Sequence, residues 1–263
     1  MELKEIKKHW EESGKQFSKQ NRITPTSRDP FLGLSEEKKI IQNLKNNWVV
    51  LEIGCGDASH TVRYAKHVKI VYALDIAESL IYIAKKKAHH IKNIHFSIGS
   101  ALNIKNLYQN KKFDCIISQR CLINLPSWQY QREVIKQSYK LLKKGGIFLI
   151  TEGFQEELDN LNNVRKEVRL KIIKTVKYNK NLNQKKFESF IQPYFKILKV
   201  EDYGFYLFFS RIFHPLLVWP NQPKHDSQIN EILFKLSQII NTPGFKKYSY
   251  NLFYILQKEK LNR

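Results

Sequence analysis

Residues 49–57, Val-Val-Leu-Glu-Ile-Gly-Cys-Gly-Asp, constrain this chain more than any other stretch. Val49 to Ile53 is a short, β-branched apolar run, which predicts a buried strand, and it stops at a turn carrying Gly54 and Gly56. A helix is expected to follow from Ala58 to Lys66. Glycines in such a turn let backbone approach a ligand closely and take conformations that a Cβ forbids. The turn is therefore expected to hold a cofactor.

Two cofactors commonly occupy a turn of this kind, a dinucleotide and S-adenosylmethionine. A dinucleotide loop needs a third glycine where Ser59 stands, and it has no use for an acid inside the strand, where Glu52 stands. Lys69 to Leu74 reads as a second buried strand that delivers Asp75 at its carboxyl end, placed to accept from both ribose hydroxyls, with Ile76 packing on adenine. Asp75 alone would also suit a helix N-cap before Ala77. With Glu52, Gly54, Cys55 and Gly56, however, the pattern resembles the cofactor motif of class I S-adenosylmethionine-dependent methyltransferases, in which the strand's acid organises the glycine loop and the methionine end of the cofactor.

That resemblance implies an α/β fold: a Rossmann-like, seven-stranded, mostly parallel sheet with helices on both faces, an N-terminal helical cover and an inserted lid. Alternating strands and helices fit it. Ala77 to His90 is amphipathic and Ile94 to Ile98 is the third strand. Ser100 and Ala101 follow where the family usually has Gly-Asp-Ala, so Ser100 would accept from adenine as a neutral group. Phe113 to Ser118 is the fourth strand and opens onto Gln119, Arg120, Cys121 and Asn124. In the family this strand end faces the transferred methyl, so Gln119 is assigned to the cofactor, and Arg120 and Asn124 supply donors for an oxygen-rich or anionic acceptor. The Asn/Asp-Pro-Pro-aromatic tetrad of amino-methyltransferases is absent. The prelude of such enzymes folds over the cofactor, which makes Arg28 the residue to grip its carboxylate and Trp10 its shield. Arg28 could equally pair with Asp29 at the surface.

Ser127 caps the next helix, Gly145-Gly146 is expected to end it, and the strand Ile147 to Thr151 delivers Glu152. A long helix is expected from Gln155 to Lys177. Arg120-Cys-Leu-Ile-Asn-Leu, Trp128, Gln131, Gly145-Gly146, Glu152 and Leu161 to Arg165 together resemble methyltransferases of bacterial surface-polysaccharide and sugar-modification clusters. The acceptor so implied is a sugar nucleotide, a phosphorylated sugar or a phosphoramidate-type capsule precursor, with Arg165 among its ligands. An RNA or other nucleic-acid methyltransferase and a catalytically inactive cofactor-binding protein are the alternatives.

One domain, 1–263, is expected: a cover at 1–46, a core at 47–203 and 251–263, and a lid at 204–250 between the last two strands. The cover's second helix is expected to start at Ser35. A connection as long as the lid is uncommon unless it is functional. It contains His214, flanked by Phe213 and Pro215, which is the expected general base because histidine accepts protons near neutral pH. Glu152 is the alternative base. A lid helix carrying Ile229, Ile232, Leu233, Leu236, Ile239 and Ile240 on one face offers Asp226 and Asn230 as acceptor ligands.

The net charge of +21 invites a nucleic-acid reading, but the lysine pairs are dispersed, without the arginine and aromatic interleaving of a groove. Three cysteines with no metal-ligand spacing read as buried thiols, and no metal is expected. Cys121 as a nucleophile would need the Pro-Cys context of RNA cytosine methyltransferases, which it lacks. The N-terminus alternates charge with apolar residues, unlike a signal peptide, and Phe205 to Trp219 is too short and too interrupted to span a bilayer. A cytoplasmic protein with no membrane partner is the expectation.

Overall fold

The computed structural model describes residues 2–17, 29–240 and 243–259. In chain order the elements are α1 (Leu3–Phe17), α2 (Pro30–Ile41), β1 (Val49–Ile53), α3 (Thr61–Tyr64), β2 (Ile70–Asp75), α4 (Glu78–Lys87), β3 (Ile94–Ile98), α5 (Ile104–Leu107), β4 (Phe113–Gln119), α6 (Trp128–Leu141), β5 (Leu142–Gly153), α7 (Gln155–Glu167), α8 (Gln184–Ile191) and β6 (Phe195–Asp202). There follow α9 (Gly204–Phe208), a π-helical turn (Phe209–Phe213), α10 (His214–Leu217), α11 (Gln228–Ser237) and β7 (Asn251–Lys258). The sheet order is β3-β2-β1-β4-β5-β7-β6, and β7 runs antiparallel to both its neighbours. This is the Rossmann-like, seven-stranded sheet that the resemblance implies.

Alternation along the strands sorts the apolar side chains into two cores. Leu51, Ile116, Phe148 and Tyr254 pack with Val134, Ile135 and Phe187 of α6 and α8 on one face. On the other, Val50, Cys115, Leu149 and Phe253 pack with Ile40, Tyr64, Ile81, Tyr206 and Leu233 from α2, α3, α4, α9 and α11. Burying a side chain of this size contributes roughly 1.5–3 kcal/mol, so both clusters hold the sheet. β1 and β4 are neighbours, and from them the chain winds outward in opposite directions. The crevice at their carboxyl ends is where an open α/β sheet leaves room for a ligand.

α3 is shorter than the expected Ala58–Lys66 helix, and the boundaries of three other elements differ from the sequence reading for local reasons. α2 starts at Pro30 rather than Ser35, because Asp29 is its N-cap and accepts from Phe31 N and Leu32 N, with proline at the first helical position. Gly145-Gly146 does not end a helix. α6 stops at Leu141, β5 begins at once, and Gly145 (φ +72°) lies where the β4–β5 register shifts. α7 ends at Glu167, since Arg169 turns into the left-handed region (φ 58°) and Leu170 N closes on the Arg165 carbonyl. Residues beyond it run extended, and Lys180 N then donates to Ile123 O and Leu182 N to Gly153 O. The apolar stripe read on the lid helix also divides. Leu233 is buried, whereas Ile232 and Ile239 are 51% and 82% exposed.

Candidate functional site

At the ends of β1 and β4 lies a cavity of about 600 Å³. The glycine turn forms its floor. Gly54 N and Cys55 N both donate to Leu74 O at the end of β2 (2.8 and 3.0 Å), and Gly54 has φ +78°. A Cβ there would sit 2.8 Å from the Cys121 side chain, so the position excludes every other residue. Gly56 also lies in the left-handed region (φ +56°), and its N–H donates to Asp75 Oδ2 (2.9 Å). Asp75 Oδ1 accepts from Ala77 N (2.9 Å), so this carboxylate both ties the glycine turn to β2 and caps the next turn. Burial raises its pKa.

Glu52 is 3% exposed and lines the same cavity. Its Oε2 is buried with no hydrogen-bond partner among the described residues. Burial, reinforced by the nearby Asp75 and Asp57, pushes its pKa up to about 7. A buried carboxyl oxygen in want of a donor, beside a floor no Cβ can enter, fits a ligand that brings an ammonium and close-packed atoms. The methionine portion of S-adenosylmethionine is such a group. Cys55, Ile76, Ser100, Ala101 and Gln119 line the cavity as the cofactor motif implies. Ser100 Oγ accepts from Leu102 N (3.2 Å) as a turn cap. The Gln119 amide is spent within the protein, accepting from Tyr64 OH (2.7 Å) and donating to Glu36 (2.9 Å). Trp10 also lines the cavity, edge-on to Tyr178 at 5.4 Å, while His9 stacks on the same ring at 4.2 Å. Arg28 falls outside the described residues.

The far end of the cavity is polar and cationic. Arg120, in the left-handed region (φ 53°), lines it with its charge met by the fully buried Glu36 (3.2 Å). Arg211 is likewise paired with the buried Asp29, which also accepts from Tyr206 OH (2.8 Å). Arg165 differs. Its Nε donates to Lys171 O (2.7 Å) and its Nη1 to Arg211 O, and no carboxylate partners it among the described residues. Burial and the Arg211 charge hold its pKa below the usual arginine value. Asn124 Nδ2 donates to Arg120 O (2.6 Å), which fixes the amide's orientation and leaves Oδ1 buried without a partner.

Both expected bases lie elsewhere. Glu152 is fully buried and does not line the cavity; it accepts from Ser118 Oγ (2.7 Å) and from the N–H groups of Cys121, Leu122 and Ile123 (3.0, 2.8 and 3.1 Å). It shapes the turn after β4 and has no access to an acceptor. His214 is 1% exposed, with Nδ1 2.9 Å from Asn230 Oδ1, and it too is outside the lining. Asn230 lines the cavity but spends its amide on His214, Lys224 O (3.3 Å) and His225 O (3.0 Å), so it positions the lid segment and has no donor left for an acceptor. Asp226 is exposed and off the cavity. The sequence reading passed over His225, which lines the cavity with Nδ1 4.0 Å from Asp29 Oδ2. It also missed Tyr250, whose hydroxyl accepts from Arg211 Nε (3.3 Å). The neighbours of His214 do not carry it to the cavity: Phe213 faces solvent and Pro215 lines the cavity, while the imidazole itself is buried against Asn230. The Cys121 thiol is pushed well above its ordinary pKa by burial and the Glu152 charge, which leaves it a poor nucleophile.

The chain is similar to known methyltransferases. The demethylmenaquinone methyltransferase of Staphylococcus haemolyticus is 29% identical over 119 residues, 44% of this chain and 48% of that one. The ubiquinone biosynthesis O-methyltransferase of Coxiella burnetii is 34% identical over 99 residues, 37% of this chain and 40% of that one. The chain thus spans about half the length, or less, of these curated relatives. Among solved structures, phosphoethanolamine N-methyltransferase 1 of Haemonchus contortus, in complex with phosphoethanolamine and S-adenosylhomocysteine, superposes with a TM-score of 0.64 at 13% identity, covering 100% of this chain and 51% of that one. The N-methyltransferase NodS of Bradyrhizobium japonicum, in complex with S-adenosylhomocysteine, gives 0.60 at 12% identity over 97% and 98% of the two chains. These two likenesses concern the fold. The profile of a methyltransferase domain matches residues 44–204, a span that takes in the glycine turn, Asp75 and the end of β4, and on that match the chain belongs to the methyltransferase-domain family.

Proposed function

We propose that this protein is a cytoplasmic enzyme that transfers the methyl of S-adenosylmethionine to a hydroxyl of a small, polar, anionic acceptor, of the kind a sugar nucleotide, a phosphorylated sugar or a phosphoramidate-type capsule precursor presents. The observation that carries this reading is one cavity holding the glycine turn, a buried oxygen in want of a donor and a guanidinium in want of an anion: Asn124 Oδ1 and Arg165. An unpaired buried acceptor costs about 1–3 kcal/mol, which an incoming hydroxyl would recover. An anionic group on the same molecule would offset the Arg165 charge with bidentate geometry. The O-methyltransferase among the relatives supports a hydroxyl acceptor.

Glu52, Gly54, Gly56 and Asp75 would hold the cofactor, which supplies a methyl already made electrophilic by its sulfonium. The rest falls to the chain: aligning the acceptor, excluding water and taking a proton. Asn124 orients the hydroxyl in this reading, and Trp10 with the 204–250 segment covers the site as the lid of a single domain. His225, which lines the cavity, takes the proton. The test is incubation of the enzyme and S-adenosylmethionine with a cell extract, with mass spectrometry for the metabolite that gains one methyl. An anionic, hydroxyl-bearing product formed by the native chain, and lost in His225→Ala at unchanged cofactor affinity, is the expected result. Methyl recovered in nucleic acid, or no S-adenosylhomocysteine formed at all, would refute it.

A further inference from the structure

No helix among the described residues is long and apolar enough to cross a membrane, yet exposed hydrocarbon stands next in the chain to residues that line the cavity. Pro215 lines the cavity, and around it Phe213, Leu216 and Leu217 face outward at 45%, 43% and 56% exposure, with Trp219 at 70%. Across the mouth, Ile173 to Val176 line the same cavity, and Ile172 and Val176 face solvent. These two segments are joined by the Arg165 hydrogen bonds to Lys171 O and Arg211 O. Ile232 of α11, which packs against the 209–213 turn, and Ile239 just beyond that helix are exposed as well. Single exposed apolar residues need no explanation, but a run of them around one opening does.

The charge beside this hydrocarbon names its partner. Between Val168 and Leu182 the chain reads Val-Arg-Leu-Lys-Ile-Ile-Lys-Thr-Val-Lys-Tyr-Asn-Lys-Asn-Leu, which alternates apolar and basic residues and contains no acid. Lys171, Lys177 and Lys180 are all exposed. The acids on the neighbouring lid are Asp226 and Glu231, and Glu231 is paired with Lys235. Lysines next to leucine, isoleucine and tryptophan match the two layers of an anionic bilayer surface, head groups above and acyl chains below. Nucleic acid would ask for aromatic platforms, and of the outward side chains at this mouth most are aliphatic. We propose that the cavity mouth is a docking surface for an anionic lipid bilayer, with Phe213 to Trp219 entering the interface and the 168–182 segment lying against phosphate head groups.

The test does not depend on catalysis. The full chain is sedimented with vesicles of phosphatidylcholine, and with vesicles of phosphatidylcholine mixed with phosphatidylglycerol, at low and raised salt. We expect binding to the anionic vesicles that weakens with salt. Lys171→Gln, Lys177→Gln and Lys180→Gln should each lower the partition coefficient about fivefold. The pair Leu217→Ser and Trp219→Ser should lower it about tenfold or more, while the thermal unfolding curve stays unchanged because both side chains are exposed. Brominated lipid should quench tryptophan emission in the native chain and not in Trp219→Phe. The proposal is overturned if the chain ignores anionic vesicles, if it binds neutral and anionic vesicles alike, or if the serine pair binds normally. It is also overturned if light scattering shows a dimer that the serine pair dissociates while vesicle binding is absent, which would make the surface a contact between copies.

Discussion

Replacing Glu52 by glutamine should stabilise the cofactor-free protein above neutral pH and, by the same physics, weaken its hold on the cofactor. In the folded chain, burial lifts the Glu52 pKa from 4.5 to about 7. That gap corresponds to about 3 kcal/mol between the protonated and ionised carboxyl. Between pH 4.5 and about 7 the folded state keeps a proton that the unfolded state has released, so native stability falls as pH rises through this window and remains lower above it. Glutamine cannot ionise, and its contribution stays flat. Urea unfolding at pH 5 and pH 8 should therefore give a variant-minus-native stability difference that grows with pH by up to about 3 kcal/mol, less whatever the neighbouring Asp75 relaxes. Calorimetric titration with S-adenosylmethionine near pH 6.5 completes the test. A cofactor ammonium reaching Oε2 would drive the proton off Glu52, so the native chain should release protons on binding and the variant should not. A stability difference independent of pH would refute the electrostatic reasoning, and equal proton release in both proteins would refute the placement of the ammonium.

Three further outcomes follow from the geometry. Asp75→Ala should cost well over tenfold in cofactor affinity, because two backbone N–H groups of the floor lose their acceptor at about 1–3 kcal/mol each; calorimetry with unchanged affinity would end that assignment. Glu152→Gln should lower the melting temperature, since an amide cannot accept all four of the hydrogen bonds the carboxylate takes; a variant of native stability that had lost only turnover would restore Glu152 as a base. His214→Phe should destabilise the lid by cutting the Asn230 bond yet leave the pH profile of turnover in place, and disappearance of its acidic limb would return His214 to the chemistry.

The parallel strands and the meeting of the glycine turn with Asp75 were legible in the sequence because both are local. Val49 to Ile53 announces a buried strand by its side chains alone, and Asp75 lies at the end of the next such run. What was illegible depends on where distant segments meet. Glu36 looks like an ordinary exposed acid at a helix start, and only folding brings Gln119, Arg120 and Asn251 to it. Glu152 and His214 have the right chemistry for a base, but burial behind the turn after β4 and beneath the lid takes them away from the cavity. Phe205 to Trp219 illustrates the limit of reading hydropathy along a line. As an apolar run it is too short to span a bilayer, and in three dimensions Tyr206 and Leu207 turn inward while Leu217 and Trp219 turn out.

The bond from Asn251 Nδ2 to Glu36 Oε1 (2.7 Å) joins residues 215 positions apart, and it sets a timetable for assembly. Glu36 is fully buried in the finished molecule, so α2 cannot seat its carboxylate until β4, β5 and β7 have brought Arg120, Gln119 and Asn251 alongside. At a synthesis rate of 5–20 residues per second, that partner emerges on the order of 10 to 40 s after α2. Through this interval the nascent chain already holds the glycine turn and Asp75 but lacks the cavity's far wall. Long-range closure of this kind slows folding and prolongs the time the early helices expose apolar surface. A growing chain therefore closes its cofactor pocket only once β7 has emerged, and a ribosome stalled before β7 would display the glycine turn without a closed site around it.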